Sequence, residues 1–84
     1  MISLLFWVAI TGQSAAYPAD VAAFLERRTQ CTHWAGEDPY DKDREAEIIA
    51  AMTKLKCESV EGAERKLRLR YRDVKTVIDA LDFE

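Results

Sequence analysis

Apolar side chains between Val21 and Leu81 return at intervals of three and four residues, and almost nowhere at intervals of two. That spacing gathers them on one face of a helix of about 3.6 residues per turn and confines the chain to helical architectures. Val21, Phe24, Leu25, Arg28 and Cys31 share one such face and predict a helix running to about His33. Pro18 suits its first turn, and Asp20 adds negative charge where the helix dipole favours it. Gly36 is expected to end this helix in the left-handed conformation, and Asp38-Pro39 to turn the chain.

A second helix follows, capped by Asp41 or Asp43, with Glu45 and Glu47 in its first turns and Lys54 and Lys56 near its end. Its expected buried stripe is Ile48, Ile49, Met52 and Leu55, with Ala46, Ala50 and Ala51 allowing close approach of a neighbour. Cys57 falls at or just past its last turn. Ser59 is the expected cap of a third helix, in which Val60, Ala63, Leu67 and Tyr71 share a face. Asp73 is placed to cap a short fourth helix or a bent continuation, with Val74, Val77, Ile78 and Leu81 as its stripe. Leu67 to Tyr71 alternates locally and is the one rival strand reading. The expectation is an all-α domain of three or four helices, spanning residues 17–84.

The segment before that domain has another character. Ile2 to Ile10 is an apolar run without a charge, and Ser14-Ala15-Ala16 follows it. A run of about 7–15 apolar residues ending in small side chains is the pattern of a secretory signal peptide, here residues 1–16 with cleavage before Tyr17. The run is shorter than the roughly 20 residues that a membrane-spanning helix needs. A retained core helix and a membrane-surface anchor are the rival readings, and no Lys or Arg follows Met1 as a signal peptide ordinarily requires.

A chain of 84 residues has room for one domain. A core of that size is marginal, so a covalent or oligomeric staple is expected. The two cysteines, in an oxidising compartment, are most simply one disulfide between Cys31 and Cys57. Free buried thiols, and a metal or redox site, are the alternatives. A metal site lacks a fourth ligand and a Cys-x-x-Cys spacing, so no metal or cofactor is expected. One geometric conflict arises. Two antiparallel helices would put cysteines at their C-terminal ends at opposite poles, so a bridge requires a return segment or a steep crossing.

No nucleophile is placed by a motif, no two carboxylates are singled out by spacing, and catalytic residues are therefore not assigned. His33-Trp34 beside Glu37-Asp38 admits an acid-base or pH-sensing reading, but a histidine at a helix C-terminus and a tryptophan at a core edge have structural roles. Charge is segregated: Glu37 to Glu47 is mostly acidic, whereas Arg65, Lys66, Arg68, Arg70, Arg72 and Lys75 are opposed only by Asp73 in their stretch. Two candidate partner-binding surfaces follow, the loop with Trp34, Glu37, Asp38 and Tyr40 and the basic face with Arg65, Arg68, Arg70 and Arg72. The basic face also reads as solvated or paired within the protein, and the net charge of −3 gives nucleic acid or acidic lipid little support.

From about Phe24 onward, some three quarters of the chain, the sequence resembles a group of short secreted proteins of Gram-negative bacteria whose function is uncharacterised. The resemblance is carried by Phe24, Arg28, Cys31-Thr32-His33-Trp34-Ala35-Gly36-Glu37 with Pro39-Tyr40, then Cys57 and Leu67-x-x-x-Tyr71. It implies export to the periplasm or beyond and a bridge from Cys31 to Cys57, and it brings no activity or site with it. The function expected is protein binding or inhibition, in the manner of an immunity protein, within the bacterial envelope. A periplasmic chaperone or acid-stress factor, and a small enzyme, are the other two classes.

Overall fold

The computed structural model describes residues 17–83; the expected signal peptide lies outside these residues. Four helices succeed one another: α1 (Ala19–Ala35), α2 (Lys42–Leu55), α3 (Val60–Arg70) and α4 (Lys75–Asp82), with a 3₁₀ turn (Cys57–Ser59) leading into α3. Leu67 to Tyr71 is helix and helix end, not strand.

The main core joins three of the four helices. Val21 and Phe24 of α1, Leu67 of α3, and Val77 and Leu81 of α4 form one buried cluster, with Tyr17, Leu25, Val60, Ala63, Tyr71 and Ile78 packed around it. Each fully buried aliphatic side chain of this kind contributes about 1.5–3 kcal/mol. Helix α2 adds nothing to that cluster. Of its expected stripe only Ile48 is buried, Met52 and Leu55 are half-buried, and Ile49 is 57 % exposed. The stripe is narrower than its apolar content suggests because α2 packs mainly along one edge, against α1 and the turn that follows it.

Two consecutive arginines of α1 bind two different helix ends. Arg27 Nη1 donates to the carbonyls of Leu55 (3.1 Å) and Lys56 (2.9 Å) at the end of α2, and to Ser59 Oγ (3.3 Å). Arg28 donates to the carbonyls of Leu81 (2.9 Å) and Phe83 (2.9 Å) at the end of α4. The last carbonyls of a helix have no partner within it and carry its negative dipole end, so a guanidinium there satisfies both needs.

The conflict over the cysteines is resolved by Lys56. Arg44 in the first turn of α2 stands over Trp34, and Arg27 holds the far end of α2, so α2 runs back along α1. Lys56 then adopts the left-handed conformation (φ 57°, ψ 47°) and reverses the chain into the 3₁₀ turn. Cys57 is thereby brought to Cys31, one helical turn from Arg27 on the same face of α1, and the two are bridged with Cα atoms 5.6 Å apart.

Three expected helix ends are made differently. Gly36 ends α1 in a right-handed conformation (φ −92°, ψ 0°), because its N–H and that of Glu37 close tightened bonds on His33 and Trp34. Ser59 does not cap α3; its hydroxyl donates to the Lys56 carbonyl, and the preceding 3₁₀ turn satisfies the amide of Val60. Asp73 does not cap α4, which starts after Val74 from a turn closed by Val74 N–H on Tyr71. Asp41 does cap α2, accepting from Arg44 N–H at 2.8 Å.

Left-handed backbone costs a non-glycine residue about 1–2 kcal/mol, and glycine gives part of that back through its freer unfolded chain. Lys56→Gly is therefore expected to raise stability by about 0.5–1 kcal/mol, read from urea denaturation midpoints at unchanged slope. Its side chain is exposed, so little packing is lost.

Candidate functional site

The two candidate surfaces differ in how much of their chemistry is already engaged within the molecule. The stretch from Cys31 to Tyr40, the end of α1 and the loop after it, is tied to α2 by Arg44, whose guanidinium lies 5.3 Å from the Trp34 ring centroid and pairs with Glu37 and Glu47. Hydrogen bonds to Glu47 and Glu37 raise the Arg44 pKa, keeping it charged throughout the ordinary range. His33 makes an edge-on contact with Trp34 and approaches Glu37 at 3.6 Å on the surface. Trp34 and Glu37 are thus half-buried parts of a helix junction. Asp38 and Tyr40 remain exposed beyond it, where Tyr40 N–H closes a tight turn on the Asp38 carbonyl around Pro39. That turn follows from the fixed φ of proline.

The basic stretch divides in the same way. Arg68 pairs with Glu64 (2.9 Å) and Asp82 (2.7 Å), joining α3 to the end of α4. Arg70 pairs with Asp20 (2.8 Å), whose other oxygen accepts from the Tyr71 hydroxyl (2.8 Å), joining α3 to the start of α1. Arg65, Lys66 and Arg72 make no ion pair among the described residues. Arg65 and Leu69, four residues apart, share the outward face of α3, while Arg72 lies in the turn beyond its end and donates from Nη1 to the Leu69 carbonyl at 3.4 Å. Leu69 is 66 % exposed between the two arginines. Leu69 was not among the expected site residues, although its place between two cations was visible in the sequence.

The Tyr71 hydroxyl and Arg70 hold the Asp20 carboxyl below its ordinary value of 3.8. A carboxyl whose pKa falls on folding stabilises the native state above its unfolded pKa, and the contribution disappears as pH falls through the lower, folded value. Asp20→Asn is expected to lower stability at neutral pH, with the gap from the parent protein closing below about pH 4. Denaturation midpoints measured from neutral to acid pH check this; a gap that persists unchanged in acid contradicts the assignment.

Two concavities flank α1. One, of about 740 Å³, lies against α4 and is bordered by Tyr17, Leu25, three threonines and Phe83, with Arg28 at its edge. Its one cation is already engaged by carbonyls of α4. The other, of about 580 Å³, lies between α1 and α3, with Ala23, Phe24, Ala63 and Leu67 as floor and Arg27, Lys66, Arg70 and Asp20 along its rims.

Among the described residues, no group of three His, Cys, Asp or Glu side chains is placed to hold a metal ion. No helix among them is long and apolar enough to cross a membrane. That observation and the disulfide are compatible with export. No family model, curated protein or solved structure matches the chain.

Proposed function

We propose that this chain is a protein-binding module of the Gram-negative envelope, periplasmic or secreted, which restrains or protects a partner in the manner of an inhibitor or immunity protein. The observation that carries the reading is the exposed Leu69 set between Arg65 and Arg72, beside Lys66. An exposed apolar side chain flanked by cations that have no internal carboxylate is suited to an acidic protein surface, where arginine anchors contribute strongly. Catalysis is not part of the proposal, because no nucleophile is placed by a motif and no two carboxylates are singled out by spacing.

A photo-cross-linkable residue in place of Leu69, introduced into the full chain in its producing cells, tests this. One discrete cross-linked species, lost when Arg65→Glu and Arg72→Glu are added, is the expected result. No cross-linked species, or one indifferent to those charges, would contradict the reading.

One observation favours a second reading, an acid-responsive chaperone. Asp20 ties the start of α1 to Arg70 and Tyr71 of α3 and its end, and its carboxyl is held below the ordinary value, so its protonation loosens a contact beside the core. Suppression of client aggregation in acid, with dye binding to exposed apolar surface, separates it from the first.

A further inference from the structure

We infer that the groove between α1 and α3 receives an acidic amphipathic helix of the partner, an assignment that rests on the protein-binding reading above and extends its surface inward from Lys66. The floor is apolar and low because two of its residues are alanines, Ala23 and Ala63, above the buried Phe24 and Leu67. From Asp20 to Arg27 along α1, and from Ala63 to Arg70 along α3, the groove spans eight residues, about 10.5 Å from first to last at the rise of a helix. Two turns of a helix fit that length and present apolar side chains at the i, i+3/i+4 and i+7 spacing that such grooves take up.

Charge then selects the occupant. Arg27 lines the α1 rim, and Lys66 and Arg70 line the α3 rim, against the single carboxylate of Asp20. Asp20 is already matched by Arg70 and Tyr71 at one end. No carboxylate pairs with Lys66, midway along the α3 rim, or with Arg27, whose guanidinium is held by the carbonyls at the end of α2, so net positive charge remains on each side of the apolar floor. A helix with a leucine stripe flanked by glutamates matches that arrangement. One flanked by lysines places like charges together, and such mismatches are what enforce partner choice.

Fluorescence anisotropy of two labelled peptides against the full chain tests the assignment. Both carry the same leucine stripe over about four turns, flanked in one by glutamates and in the other by lysines. The glutamate peptide is expected to bind at least about tenfold more tightly than the lysine peptide. Lys66→Glu should weaken the glutamate peptide by about tenfold or more, and Ala23→Trp, which fills the floor from an exposed position, should abolish its binding. Circular dichroism confirms that both variants keep their helices.

Equal binding of the two peptides, no binding of the glutamate peptide, or indifference to Ala23→Trp would overturn the assignment. So would displacement of the glutamate peptide by dodecanoate at stoichiometric concentration, which would make the groove an acyl-anion site. If the Leu69 cross-link persists while the peptide does not bind, the groove fails and the protein-binding reading stands; loss of both overturns both.

Discussion

Replacing Cys31 and Cys57 together by serine is expected to remove about 3.5 kcal/mol of stability, the loop-closure entropy of a bridge with 26 residues of separation. For a domain of this size that lowers the melting temperature by about 14–28 °C. The loss is not expected to be even across the fold. Helix α2 contributes no residue to the cluster that joins α1, α3 and α4. It is held by Ile48, by Arg27 on its last carbonyls, by Arg44 against Trp34, and by the bridge just beyond its end. Without the bridge, amide exchange should rise first between Lys42 and Leu55, while α1, α3 and α4 retain protection. Uniform loss of protection, or a stability change below about 1 kcal/mol, contradicts the role given to the bridge.

Arg28→Ala is expected to cost about 2–3 kcal/mol, the range for hydrogen bonds to a charged group whose partners are left partly buried. The side chain is 21 % exposed and closes three contacts at once: the end of α4, Glu64 of α3 at 3.4 Å, and the ring of Phe24, whose centroid lies 5.5 Å from the guanidinium. Loss of the guanidinium frees the carbonyls of Leu81 and Phe83 and opens one side of the core at Val77 and Leu81. Arg28→Lys restores charge without the planar fork and should recover only part of the loss. Urea denaturation of the two variants checks both statements; an Arg28→Ala protein as stable as its parent would show that α4 is held by its apolar face alone.

The helical architecture was legible because it depends on local periodicity. Val21 and Phe24 of α1, and Val77 and Leu81 of α4, are buried as their spacing predicts, whereas Val74 of the same expected stripe precedes α4 and is 41 % exposed. A cap at Asp41 or Asp43 was legible for the same reason, since a cap acts three residues away, and the structure uses Asp41. What could not be read depends on contacts between distant residues. Nothing local marks Lys56 as the left-handed residue, because lysine has no preference for that conformation; tertiary contacts at Arg27 and Cys31 impose it. Nor does spacing reveal that Arg28 is spent on α4, or that Arg68 and Arg70 are spent on Asp82 and Asp20. The expected binding surface contracts accordingly, from a row of basic residues to Arg65 and Arg72, now joined by Lys66 and Leu69. In the loop, Trp34 and Glu37 belong to the junction with α2, which leaves Asp38 and Tyr40 as its outward residues.

If the domain is exported, as proposed, and closed by its one bridge, intact mass of the protein recovered from the cell envelope reports both features at once. The expected product is a chain beginning at Tyr17 that takes up no alkylating reagent before reduction and reacts at two sites, Cys31 and Cys57, afterwards. A chain retaining Met1, with both thiols alkylated without reductant, would contradict it.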